Sequence, residues 1–241
     1  MFGKRIKNKI TKIYIDLEPS YNGNETGYAM FNNLNDWNAS IGMFGILKIE
    51  FDIKKKTKRQ IYFKQILNPN IECFEKLLFE DDVDMIVTWN GRKFDIPLII
   101  NLFSLDEKEQ YNNKIKNIDR DLIDVCSYKK INIKGGIGEV IKRLNIGINT
   151  EEKDVSLHKF FNSWDTVFRS DDSKTEEYKK ALNIVKGRNK FDCESLVLLE
   201  EKLSLSYELK LKQDFFSIDW KKNNMKKRTR KISNFLNKNM R

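Results

Sequence analysis

Two carboxylates separated by a single residue are the first candidates for chemistry in this sequence. Asp16 and Glu18 end an apolar, β-branched stretch that starts at Thr11 and stops at Pro19, a pattern that predicts a strand. Residues i and i+2 of a strand share one face, so both carboxylates would lie side by side. Two neighbouring carboxylates repel each other unless a proton or a cation lies between them. Mg²⁺ and Mn²⁺ are divalent cations that bind such oxygen ligands. On its own, a water-facing strand edge explains so short a pattern more often than a metal site does.

Two further acids occur where ligands can converge. Asp95 follows an apolar stretch over residues 84–89 and the turn Asn90-Gly91, and it stands at a predicted junction between strand and helix. Asp192 stands near the predicted start of a long helix over about residues 189–211. The candidate catalytic residues and metal ligands are therefore four acids: Asp16, Glu18, Asp95 and Asp192.

The elements around these acids indicate an α/β fold with a mixed sheet packed by helices. Residues 41–51 and 60–66 are two strands with a short basic connection, which predicts an antiparallel hairpin. The segment from Ser20 to about Ser40 is rich in turn formers and predicts a loop. Helical spacing predicts short helices over residues 71–78, 121–129, 138–144, 155–164 and 176–185.

Positive charge is concentrated at the two ends of the chain. Of a net charge of +10, residues 1–13 carry five cations and residues 221–241 carry nine, with no acid in either segment, so residues 14–220 are left at −4. Basic segments typically attract a polyanion, nucleic acid first, although a solvated tail without a role is the alternative. We expect a basic arm (1–12), one domain (13–211) and a basic tail (212–241) that could also bind a protein partner.

Several classes of protein are excluded by what the sequence lacks. No run of about 18 apolar residues is present, so no membrane-spanning helix is expected, and the basic start has no signal-peptide core. Three widely spaced cysteines argue against a disulfide framework, and with a single histidine they argue against zinc. We therefore expect an intracellular, cytoplasmic protein.

Three segments resemble the three motifs of the DEDD 3′→5′ exonucleases. These segments are Tyr14-Ile15-Asp16-Leu17-Glu18, then Val87 to Pro97 with its Asn-Gly-x-x-Phe-Asp-x-Pro pattern, and Asn189-Lys190-Phe191-Asp192. The second segment is also similar to the proofreading domain of family B DNA polymerases, and the stand-alone YprB-like group is the best match. The resemblance spans roughly residues 11–205. It implies a ribonuclease H-like fold with a mixed central sheet of about five strands.

The resemblance implies hydrolysis of phosphodiester bonds with two divalent metal ions, Mg²⁺ or Mn²⁺. Asp16 would bridge both ions, Glu18 and Asp192 would complete the shell of one, and Asp95 would hold the other. Asn90 would either form the turn or contact the terminal nucleotide. Tyr21, in the predicted loop, would either stack on a terminal base or pack in the core.

One position departs from the pattern of this family. Related enzymes place a Tyr four residues before the third-motif Asp, or a His five before, whereas this chain has Arg188 and Gly187. Arg stays protonated and cannot act as a general base. Arg188 would either orient the scissile phosphate or pair with a carboxylate and weaken metal binding. A nearby tyrosine such as Tyr178 substitutes, or the metal alone activates water, or activity is low.

The hypothesis is a 3′→5′ exonuclease acting on single-stranded nucleic acid, with DNA slightly favoured over RNA. A catalytically weak or inactive nucleic-acid-binding relative is the alternative. A structure-specific endonuclease is a third reading.

Overall fold

One mixed sheet of five strands forms the centre of the fold. The computed structural model describes residues 7–21, 39–78, 82–103, 105–147, 155–169 and 173–208. Within these ranges the strand order is β3-β2-β1-β4-β5, with β1 to β3 antiparallel and β4 and β5 parallel to β1. The strands are β1 (Lys9–Tyr21), β2 (Ala39–Asp52), β3 (Thr57–Leu67), β4 (Met85–Thr88) and β5 (Asp119–Asp121). This sheet confirms the mixed, five-stranded α/β fold expected from the sequence.

Helices cover both faces of the sheet. They are α1 (Ile71–Leu78), α2 (Asp95–Asn101), α3 (Leu105–Ile118), α4 (Leu122–Tyr128), α5 (Gly136–Arg143), α6 (Leu157–Arg169) and α7 (Glu176–Lys202). Ile13 and Ile15 of β1 face a core built with α1 to α3. Tyr14 faces the opposite core, built with α4, α5 and α7. This alternation along β1 directs the side chains of Asp16 and Glu18 towards α7. No helix in the described ranges has the length and apolarity needed to cross a membrane.

The first strand is longer than predicted. β1 continues through Pro19 to Tyr21, and its register with β2 shifts between Glu18 and Pro19. A bulge of this kind accommodates a proline, which has no N–H for the ladder, so the proline does not end the strand. The predicted loop over residues 20–40 is therefore wrong at both ends, and residues 22–38 lie outside the described part.

The two helices predicted over residues 176–185 and 189–211 are one helix, α7, which ends at Lys202. Gly187 lies in its interior, where glycine costs only about 1 kcal/mol relative to alanine. The apolar face of α7, which includes Val185 and Phe191, is buried against the sheet and α6 and stabilises the continuous helix. Asp192 consequently lies in the middle of a helix and not near a helix start.

Two elements have no counterpart among the predicted ones. The helix α3 is mostly polar, and β5 consists of Asp119-Arg120-Asp121, which no strand pattern predicts. All three residues of β5 are nevertheless buried, because Arg92, Glu200 and neighbouring backbone groups pair with them. Ion pairing takes the place of apolar side chains in this edge strand.

Candidate active site

The parallel pairing of β1 with β4 brings the first two acidic segments to one edge of the sheet. Tyr14 lies opposite Val87, so β4 ends at Thr88 beside the part of β1 that carries Asp16 and Glu18, which stays paired with β2. Asp16 and Glu18 therefore meet the turn that leads into α2 and Asp95. The helix α7 packs across β1 on the face to which these carboxylates point. Chain segments far apart in sequence are thus joined at one place.

Asp16, Glu18 and Asp192 form a group that we call the carboxylate cluster. One oxygen from each residue lies within 4.8 Å of the others, and all three side chains are half-buried. Asp192 Oδ1 is buried and has no hydrogen-bond partner among the described residues. An unpartnered carboxylate oxygen beside two other carboxylates is the arrangement expected of a site that accepts a cation.

Asp95 lies next to this cluster without being part of it. It is the first residue of α2, it is 8 % exposed, and its Oδ1 accepts a hydrogen bond from the Leu17 N–H at 3.2 Å. That bond attaches the start of α2 to β1 between Asp16 and Glu18. The charge of Asp95 raises the pKa values of both of these residues. All four predicted acids are therefore electrostatically coupled.

The four carboxyl groups hold protons more tightly than isolated carboxyls do. Burial raises the pKa of Asp16 well above its usual range, and the charges of the neighbouring acids raise it further. Burial, followed by the charge of Asp192, raises the pKa of Glu18 to about 8. The pKa of Asp95 is raised to about 7, and that of Asp192 is also raised, in both cases mainly by burial. Binding of either a proton or a divalent cation would relieve the repulsion among these carboxylates.

Asn189 positions Asp16, a role that the sequence pattern did not assign to it. Its Nδ2 donates to the backbone carbonyl and to Oδ2 of Asp16, at 3.0 and 2.9 Å, and its Oδ1 accepts from Gln65 at 3.0 Å. Gly45 lies opposite Asp16 on β2, and a Cβ at position 45 would lie 2.1 Å from Asn189 Oδ1. The signal available in the sequence was a glycine inside an apolar strand.

The side chain of Asp121 holds the turn between β4 and α2 in place. This carboxylate accepts hydrogen bonds from the N–H groups of Asn90 and Arg92, at 2.8 and 3.2 Å, while it also caps α4. Asn90 adopts a left-handed conformation with φ of 60°, and its carbonyl accepts from Lys93 and Phe94. The structure thus gives Asn90 a turn-forming role, and any nucleotide contact stays a prediction.

The structure describes the side chain of Arg188 but not that of Tyr21, the other two predicted substrate-binding residues. Arg188 pairs with Asp192, with 2.9 Å between Nε and Oδ2, and its guanidinium carbon lies 5.3 Å from the centre of the Phe191 ring. Tyr21 is the last residue of β1, and its side chain lies outside the described part. Tyr178 packs against α6 at a point roughly 21 Å along α7 from Asp192, at 1.5 Å per residue. Tyr178 therefore does not replace the missing tyrosine.

The comparisons with known proteins assign the fold to a family. A family model described as RNase_H superfamily matches residues 32–204. The chain belongs to the ribonuclease H superfamily, which includes nucleases and the exonuclease domains of polymerases. Its nucleases act on nucleic acid with divalent metals. Asp95 and Asp192 lie inside the matched range, whereas Asp16 and Glu18 precede it.

The chain is also similar to a solved structure, the family B DNA polymerase from the hyperthermophilic archaeon Pyrobaculum calidifontis. The identity is 14 %, the match covers 81 % of this chain and 24 % of the polymerase, and the TM-score is 0.48. The chain thus spans about a quarter of the length of that polymerase. No protein with a curated description matches the chain.

Proposed function

We propose that this protein is a metal-dependent 3′→5′ exonuclease of the DEDD type that hydrolyses single-stranded nucleic acid. The observation that carries the proposal is the carboxylate cluster at one edge of a ribonuclease H sheet, with Asp95 coupled to it. The order of the acids along the chain and the resemblance to the YprB-like group support it further. The similarity of the second motif to proofreading domains slightly favours DNA over RNA.

The residues present fit two divalent ions, Mg²⁺ or Mn²⁺. The three carboxylates of the cluster would hold one ion, and Asp95 together with Asp16 would hold the second. When bound, such ions supply a nucleophilic water at neutral pH and stabilise the leaving oxygen. Asn189 fixes the Asp16 carboxylate in one orientation, so that it does not have to be ordered when the substrate arrives.

Other side chains are assigned to the substrate. Arg188 is 26 % exposed, and a substrate phosphate would offer its guanidinium a second anion. Asn90 and Tyr21 are proposed to contact the terminal nucleotide. Of the basic segments over residues 1–12 and 212–241, Lys12 is buried and pairs with Glu200. The other cations of these segments would add affinity for the nucleic-acid backbone, and this affinity would weaken steeply with salt. A protein partner for the C-terminal segment is a further proposal.

A catalytically weak or inactive relative is the second candidate function. The observation that favours it is the ion pair between Arg188 and Asp192, at a place where related enzymes have a tyrosine. It predicts oligonucleotide binding without metal-dependent cleavage. Replacing Arg188 with tyrosine would then raise the cleavage rate, because the rest of the site is intact.

The test is digestion of single-stranded DNA and RNA oligonucleotides in parallel, labelled at the 3′ or the 5′ end, with Mn²⁺ or EDTA. We expect Mn²⁺-dependent shortening from the 3′ end, its loss in Asp16→Ala, and its retention in Asp52→Ala, which removes a carboxylate at the far end of β2. Absence of shortening, or shortening that survives Asp16→Ala, would exclude the proposal. A circular substrate, which has no 3′ end, separates an exonuclease from an endonuclease.

A further inference from the structure

The place that a tyrosine occupies in related enzymes holds a cation here, and that cation is paired with one acid of the carboxylate cluster. Arg188 and Asp192 stand one turn apart on α7, with 2.9 Å between Nε and Oδ2. The two side chains are 26 % and 15 % exposed, so water screens this pair less than it screens a surface pair. The guanidinium also contacts the face of Phe191, which holds it against the helix.

The charge of Arg188 acts on the whole cluster. It lowers the pKa values of Asp16, Glu18 and Asp192, against the larger effect of their burial. The pKa of Arg188 is itself raised above its ordinary value. Burial acts to lower this pKa, but the charges of the same three carboxylates outweigh the effect of burial. A guanidinium keeps its proton at any working pH, so this positive charge is permanent.

The two oxygens of Asp192 have different environments. Oδ2 accepts from Arg188, whereas Oδ1 is buried and has no hydrogen-bond partner among the described residues. One oxygen of the residue is therefore still available to a cation after the other has been paired. Arg188 does not block the site, but its charge opposes the arrival of a second positive charge.

From this geometry we infer that Arg188 is a built-in counter-cation of the carboxylate cluster. It stabilises the cluster in the absence of metal and weakens the binding of divalent ions. The inference rests on the proposed function only in taking the cluster to be a metal site. An enzyme with this feature would remain folded without metal and would need a higher Mn²⁺ or Mg²⁺ concentration than relatives that carry an uncharged residue at this position.

The test measures Mn²⁺ affinity directly, by calorimetry or from the electron paramagnetic resonance of free Mn²⁺. Arg188→Gln removes the positive charge, and Arg188→Lys keeps it. The control is Lys190→Gln, which removes the cation of the exposed pair that Lys190 forms with Glu194, four residues further along the same helix. We expect Arg188→Gln to bind Mn²⁺ about tenfold more tightly than the wild type, the order of effect that one adjacent unit charge has on a proton. Arg188→Lys and Lys190→Gln should stay within about twofold of the wild type.

Thermal unfolding in EDTA provides the second readout. Arg188→Gln should unfold at a lower temperature than Lys190→Gln and should gain more from added Mn²⁺. A variant that folds only when Mn²⁺ is present would support the inference in the same way. Unchanged or weaker Mn²⁺ binding by Arg188→Gln would overturn it, because Arg188 would then serve to orient Asp192.

The Asp16→Asn variant separates this failure from failure of the proposed function. If Asp16→Asn abolishes Mn²⁺ binding while Arg188→Gln leaves it unchanged, only the counter-cation is excluded. If the wild type and Arg188→Gln both fail to bind Mn²⁺, the metal-dependent nuclease is excluded as well.

Discussion

Asn189 Nδ2 lies 3.0 Å from the backbone carbonyl oxygen of Asp16 and 2.9 Å from its Oδ2. One amide group on α7 therefore fixes both the backbone and the carboxylate of the residue that is proposed to bridge two metal ions. Gln65 Nε2 donates a hydrogen bond to Asn189 Oδ1, which holds the same amide group from the other side. Gln65 Nε2 also donates to the backbone carbonyl of Lys186 on α7. The orientation of Asp16 is thus set by β1, β3 and α7 together.

Replacing Asn189 with alanine should reduce nuclease activity and Mn²⁺ affinity by about 10- to 100-fold, the range typical of residues that orient metal ligands. The reason is that Asp16 Oδ2 loses its donor and the carboxylate gains rotational freedom. Metal titration and cleavage rate are the measurements, and Asn183→Ala, an exposed change on the same helix, is the control. Wild-type Mn²⁺ affinity in Asn189→Ala would show that this contact only stabilises the fold.

Gly45→Ala should act on the same contact from the opposite side. The added Cβ would lie 2.1 Å from Asn189 Oδ1 in a buried position, so Asn189 must move and release Asp16. We expect loss of activity together with a lower melting temperature. Gly147→Ala is the matched control, since a Cβ there would have no heavy atom within 4 Å. Equal activity in the two variants would contradict the role given to Gly45.

The stability of the metal-free protein should fall as the pH rises from about 4.5 to 8. The pKa of Glu18 is about 8 in the folded protein, and those of Asp16, Asp95 and Asp192 are also raised. The folded cluster therefore binds protons that the unfolded chain releases in this window, and each proton lost costs folding free energy.

Melting temperatures at pH 5.5 and 8.0, in EDTA and in Mn²⁺, measure this effect. In EDTA the protein should melt at a lower temperature at pH 8.0, and stabilisation by Mn²⁺ should be larger there because the metal replaces the protons. Glu18→Gln should flatten the pH dependence. A metal-free melting temperature that rises over this interval would contradict the coupling of these acids.

A second buried ionic group lies on the same face of β1, at the opposite end from the site. Lys12 and Arg120 both pair with Glu200, Tyr14 Oη donates to Glu200 Oε2 at 2.6 Å, and both cations also bind the carbonyl of Leu205. Burial lowers the pKa of Lys12 to about 8, although Glu200 opposes this. The group fastens the end of α7 to the sheet.

Glu200→Gln should lower the free energy of unfolding by about 3–5 kcal/mol, because it leaves two buried cations without a counter-charge. Lys12→Met should change it by about 1 kcal/mol or less, since the pair of Arg120 with Glu200 remains intact. Urea denaturation of both variants measures the difference. A larger loss in Lys12→Met than in Glu200→Gln would contradict the view that Glu200 is the shared partner.

The sheet was largely predictable because its central strands carry strong apolar and β-branched patterns. The composition of residues 41–51 and 84–89 alone predicts β2 and β4. The edge strand β5 could not be predicted in this way, because its buried residues are Asp119, Arg120 and Asp121, and their partners lie elsewhere in the chain. Ion pairing between distant segments leaves no periodic signal in the sequence.

The candidate site was predictable as a set of residue types and not as a geometry. The acids stood out, but the continuous helix that carries Asp192 did not. Two helices were predicted on either side of Gly187, and burial of the apolar face of α7 stabilises one helix across that glycine. Asn189 and Gly45 carry no charge, and their joint role depends on the approach of α7 to β2. The sequence predicted a carboxylate or a phosphate as the partner of Arg188, and the structure identifies the carboxylate as that of Asp192.

The most direct test of the metal site is an anomalous difference map from crystals grown with Mn²⁺. The account predicts one strong peak among Asp16, Glu18 and Asp192 and a second peak between Asp16 and Asp95, with both peaks lost in Asp16→Asn. A map with no peak at the carboxylate cluster, at an Mn²⁺ concentration that supports cleavage, would contradict it.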